Sequence, residues 1–159
     1  MSCPFSITYN KDKDKYLLRH ILKHTHKHII YSNWVMFGSD GLIKHPEDIR
    51  TAIVHRKKDL NSETKWIIRP KYVKSKYLSL HIIKKNAKIN DKYVLVDNSV
   101  FHLNHYPIQS REFFEKVKKT RGDAQNIATD NIRDDNYFAL YDKDTNVLDE
   151  PRKKVSNSC

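Results

Sequence analysis

The chain has 159 residues, enough for one domain whose core needs no disulfide or structural metal. Its 30 Lys and Arg against 19 Asp and Glu leave a formal net charge of +11, while 38% of residues are apolar. The cysteines, Cys3 and Cys159, stand only near the ends, which excludes a disulfide-dense extracellular scaffold and favours a reducing compartment.

No run of 18 apolar residues offers a membrane span. The first ten residues lack the basic-then-apolar pattern of a secretory signal, so cytoplasm or nucleus is expected. The charge is uneven. Residues 1–119 hold 24 Lys and Arg against 11 Asp and Glu, residues 120–150 hold 3 against 8, and the end from Pro151 adds 3 cations. A field of this sign attracts polyanions and speeds their association.

The first expected element is a helix over residues 12–27, where Leu17, Leu18, Ile21 and Leu22 recur at helical spacing. Residues 28–37 read as a strand that is apolar on both alternating faces, hence covered on both sides. Gly38-Ser39-Asp40-Gly41 predicts a turn at positive φ, with a hairpin return through Leu42 and Ile43. Pro46, Glu47 and Asp48 suit the first turn of a short helix. Ile49, Ala52 and Ile53 line one face of it, and Arg56, Lys57 and Lys58 close it.

Three strands are expected next, over residues 65–69, 77–83 and 93–103, the last folded back at Asp97-Asn98. Their short connections leave no room for crossover helices, so the pairing should be antiparallel. Ser110 suits the N-cap of a helix bearing Phe113, Phe114 and Val117. Gly122 ends or kinks it, and Asp123 caps a further turn with Ala124, Ile127 and Ala128. A short strand over 137–141, a polar turn over 142–146 and a disordered basic tail from Pro151 complete the chain. The pattern predicts an α+β fold in one domain over residues 1–150: a small, mostly antiparallel sheet flanked by three or four short helices.

Three glycines, Gly38, Gly41 and Gly122, cannot build a phosphate-binding loop or a dinucleotide fingerprint. The kinase motifs and the nucleophile elbow are absent as well. His20, His24 and His28 would share a helical face, and His24, His26 and His28 a strand face. Three imidazoles could hold zinc, but Lys23 and Lys27 flank them and repel a cation, so no metal site or cofactor is expected.

His55, His81, His102 and His105 lie near lysines and supply the ingredients of metal-free RNA cleavage, without a recognisable paired motif. Glu63-Thr64-Lys65 before Trp66-Ile67-Ile68 has the local look of a metal-dependent nuclease, yet a solvated strand entry accounts for it. The aspartates between Asp123 and Asp144 lack the spacing, central glycine and closing Glu of a calcium loop.

The segment with a chemical signature is basic and aromatic: Arg69, Lys71, Tyr72, Lys74, Lys76 and Tyr77, followed by Lys84, Lys85 and Lys88. Cations neutralise phosphates and release counterions, and Tyr stacks on unpaired bases. Pairing of 65–69 with 77–83 would present the loop cations together. The competing reading packs the tyrosines back on the sheet. A non-enzymatic RNA- or DNA-binding protein is therefore expected, with the lysines on phosphates and Tyr72 or Tyr77 stacking. The alternative is a viral-type accessory or host-interaction protein docking an acidic protein partner, and a small nuclease is the third reading. No family resemblance carries any of them.

Overall fold

The computed structural model describes residues 5–9, 21–99, 101–120 and 133–149, with 5–9, 101 and 102 described in backbone only. The expected helical residues 12–20 and 123–128, and the tail from Pro151, lie outside the described residues. The architecture is α+β, as the pattern predicts. The chain gathers into two compact units, Met1–Val35 with Leu60–His105, and Met36–Asp59 with Tyr106–Cys159.

The first unit is built on a sheet. Strands β1 (Phe5–Tyr9), β2 (Ile29–Met36), β4 (Thr64–Ile68), β5 (Val94–Val96) and β6 (Phe101–His105) lie in the order β1-β6-β2-β4, with β5 also on β2. β1 with β6 and β2 with β4 are antiparallel, whereas β2 and β5 run parallel. β2 is the hub because its alternation is apolar on both faces: Ile29 and Ile30 are both buried. Opposite Ile29 stand Ile68 and Val94, and opposite Tyr31 stands Trp66. These residues pack with buried Val73 and Ile83 into one core cluster.

The break at Asp97-Asn98 falls where expected, but its two halves do not pair with each other. Asn98 ends β5 by taking over the ladder: its Oδ1 accepts from Asn33 N at 2.8 Å, and its Nδ2 donates to Asn33 Oδ1 at 2.9 Å. The first helix is shorter than expected at its end. Residues 21–23 are helical and 24–26 turn, because His28 is drawn into the sheet: its N donates to Tyr93 O at 2.8 Å and its O accepts from Arg69 N at 2.9 Å.

The second unit holds α1 (Ile49–Ala52), β3 (His55–Arg56), α2 (Arg111–Phe113) running into a π-helical turn (Phe114–Lys118), α3 (Asp135–Asp142) and β7 (Val147–Leu148), which pairs with β3. Three expectations are corrected here. No return strand forms at Leu42-Ile43: their carbonyls accept from Arg111 N and Glu112 N, and Phe37 bridges Arg56 instead. The helix after Pro46 stops at Ala52, and Arg56 lies in β3, where its guanidinium bonds Asp149 at 2.9 Å. Residues 137–141 are helical, because Asp134 caps α3 by accepting from Tyr137 N at 2.9 Å.

Ser110 caps α2 as expected, accepting from Phe113 N. Met36, Phe37, Ile53, Tyr106, Pro107, Ile108 and Phe114 are buried apolar residues of this unit. On the surface, Lys116 at 2.8 Å and the backbone N–H of His45 draw the Glu112 carboxyl down from 4.5 to about 2.

The turn at 38–41 explains its glycines differently. Asp40 and Gly41 have positive φ, at 52° and 69°, and Asp40 is held there because its carboxylate accepts from Val54 N and His55 N. Gly38 is needed for space. A Cβ there would sit 2.6 Å from Thr145 Oγ1 and 2.9 Å from Asp142 Oδ1, the oxygen that accepts from Ser39 N at 2.7 Å. Gly38→Ala is expected to cost about 1–3 kcal/mol through this overpacking, read as a lower midpoint in chemical denaturation. An unchanged midpoint would show that Thr145 and Asp142 move aside freely.

Candidate nucleic-acid interface

All the basic and aromatic residues singled out from the sequence fall in the first unit, on the segment between β4 and β5. That segment is not a strand. Residues 75–77, 85–87 and 91–93 form short 3₁₀ turns, and between 77 and 84 the chain makes a tight loop closed by a Leu78–Ile83 bridge. The expected strand over 77–83 fails because side chains of β4 take its carbonyls. Thr64 Oγ1 donates to His81 O at 2.8 Å, Lys65 Nζ to Leu80 O at 2.8 Å, and Trp66 Nε1 to Ser79 O at 2.9 Å. Buried Val73 and Ile83 pin the segment to the core, and Ile83 N donates to Tyr31 Oη at 3.0 Å.

This anchoring sorts the candidate residues. Lys71, Tyr72, Lys74, Lys76, Lys84 and Lys85 are exposed. Lys84 N donates to Tyr77 O at 2.9 Å, which sets the backbone of Lys84 beside the residue that follows Lys76. None of the five lysines forms an ion pair with a carboxylate among the described residues. Arg69 is spent internally: its Nε donates to Lys27 O at 3.0 Å and its Nη2 to Ile21 O at 3.2 Å, closing the carbonyl end of the helical turn. Tyr77 is half-buried against the core cluster, so its ring serves packing.

Tyr72 differs. It is 48% exposed, and its ring lies on His28 with centroids 3.9 Å apart and planes 8° apart. The other face of His28 meets Tyr93 at 4.1 Å and 9°. The three rings come from neighbouring chain segments, since His28 bonds by its backbone to both Arg69 and Tyr93. Strand pairing, with a spacing of about 4.8 Å, sets Tyr93 beside His28, and the turn in which Tyr72 N donates to Arg69 O brings Tyr72 to the other face of His28. Lys71 Nζ stands 5.8 Å from the Tyr72 centroid and Lys92 Nζ 4.8 Å from that of Tyr93. Sequence reasoning singled out neither His28 nor Tyr93 for this arrangement. A signal exists: each ring residue immediately precedes a three-residue apolar run, Ile29-Ile30-Tyr31 and Val94-Leu95-Val96, as the ends of paired strands would.

The histidines divide as well. His55 hydrogen-bonds Asp40 at 3.1 Å in the second unit. His81 and His105 pack on Trp34, at 4.9 and 4.1 Å between centroids, and His81 Nδ1 lies 3.8 Å from Glu63 Oε2. Lys65, beside Glu63, is engaged with Leu80 O. His20 lies outside the described residues, and among the described residues no group of three His, Cys, Asp or Glu is arranged to hold a metal ion. No helix among them is long and apolar enough to cross a membrane. No family model, curated protein or solved structure matches the chain.

Proposed function

We propose that the protein binds nucleic acid through the phosphate backbone, using the lysines between β4 and β5. One observation carries the reading: Lys71, Lys74, Lys76, Lys84 and Lys85 are exposed on one anchored segment, with no ion-pair partner among the described residues. Residues 65–92 hold eight lysines and one arginine against Asp91 alone. The acidic residues Asp134, Asp135, Asp142 and Asp149 are engaged inside their own unit, as helix cap, ion pairs with Arg111 and Lys119, turn acceptor and partner of Arg56. Solvated lysines without an ion-pair partner contribute little to folding, so their concentration here favours a polyanionic ligand.

The test is the salt dependence of binding. Log affinity should fall linearly with log salt, by about 0.7 to 0.9 per phosphate contact. Five contacts give a slope of about −4. Affinity that ignores salt, or no binding at low salt, removes the electrostatic account.

A second reading has its own observation. Leu80 and Ile82 are 49% and 52% exposed on the loop between Lys76 and Lys84. An apolar tip set among lysines would suit an acidic protein partner with a complementary apolar pocket, and binding to such a partner would keep part of its strength in high salt.

A further inference from the structure

We infer that the Tyr72–His28–Tyr93 column is a base-stacking platform, so that the preferred ligand is single-stranded nucleic acid. The inference rests on the nucleic-acid reading above and deepens it by naming the form of the ligand.

Parallel planes only 8° and 9° apart, at 3.9 and 4.1 Å, repeat the geometry of stacked bases, whose rise is about 3.4 Å. Three rings therefore already form a short stack that a further flat ring can extend. Tyr72 ends the column and is 48% exposed, so its orientation is set by His28 beneath it rather than by burial. A ring fixed in advance gives up little freedom when a base settles on it. The column is fixed from below, too. The backbone of His28 is bonded on both sides, and Lys27 Nζ holds the carbonyls of Lys92 and Val94 at 2.8 and 3.2 Å, which positions Tyr93.

The charges complete the site. Lys71 and Lys92 stand at the two ends of the column. A base laid on the outer face of Tyr72 carries its phosphate within the field of Lys71 and Lys74, both exposed. Lys71, which has no ion-pair partner among the described residues, moves from ring to phosphate. Base planes in a duplex are covered by their neighbours, whereas those of a single strand are open. Stacking therefore selects the single strand without reading its sequence.

The experiment uses the full chain and three fluorescent ligands of equal length: oligothymidine, the same strand with its bases removed, and a duplex. At low salt, oligothymidine is expected to bind about 10- to 100-fold more tightly than the abasic strand, the range for one well-stacked base. Tyr72→Ala should abolish that difference while leaving the abasic affinity unchanged and lowering the melting temperature by no more than about a few degrees for the lost contact with His28, and Tyr72→Phe should keep it. Equal affinity for the base-bearing and abasic strands, or a duplex bound as tightly as the single strand, overturns the platform and leaves the phosphate-binding reading standing. An equal loss in the Phe and Ala variants overturns it as well, because the hydroxyl and not the ring would then be the contact. Failure of all three ligands to bind at low salt overturns the underlying reading itself.

Discussion

Exchanging Lys71, Lys74 and Lys76 together for glutamate is expected to weaken nucleic-acid binding at low salt by at least about a hundredfold. The three positions are exposed and unpaired among the described residues, so the exchange removes three phosphate contacts and installs three repelling charges. The slope of log affinity against log salt should become shallower by about two to three. Stability should hardly move, because surface substitutions of this kind usually stay within about 0.5 kcal/mol. Filter binding or fluorescence anisotropy over a salt series, with a thermal melt of the same sample, reads both. Unchanged affinity in a folded variant would place the binding face elsewhere on the chain.

Phe114→Ala should have the largest effect on folding. Phe114 is fully buried at the start of the π-helical turn. Its ring meets Phe138 edge-on at 5.0 Å and lies 6.2 Å from Tyr137, so α3 cannot simply collapse into the space left. Truncating a buried Phe costs about 3–5 kcal/mol, a large share of the roughly 5–15 kcal/mol that holds a domain together. Phe113, half-buried at the end of α2, should cost clearly less. Urea denaturation of the two variants checks the order. A reversed order would mean that the Phe114 site repacks.

What the sequence revealed was local. The strand at 29–36 and the cap at Ser110 follow from a handful of adjacent residues, and both are in place. Residues 137–141 are apolar enough for a strand, but a single hydrogen bond from Tyr137 N to Asp134 decides for helix. The alternation over 77–83 is real, yet the polar ends of Thr64, Lys65 and Trp66 capture the carbonyls that a ladder would need. Composition cannot reveal that capture. The same holds for the site. Exposed lysines were legible because nothing nearby could neutralise them. Tyr72 and Tyr77 were indistinguishable, since only the path of the loop decides which ring faces the core. His28 and Tyr93 stayed hidden because their meeting depends on a parallel pairing of β2 with β5, some 65 residues apart, and short-range patterns carry no information about such pairs.

The register of β1 has a consequence for how the protein is made. Phe5 lies opposite His105 and Tyr9 opposite Phe101, so β1, once it has left the ribosome, finds this partner only after almost a hundred more residues have been added. At about 5–20 residues per second the wait lasts on the order of ten seconds, far longer than a hairpin needs to close. During that interval an unpaired strand edge is open to other nascent chains, so the yield of folded protein should depend on how crowded the polysome is.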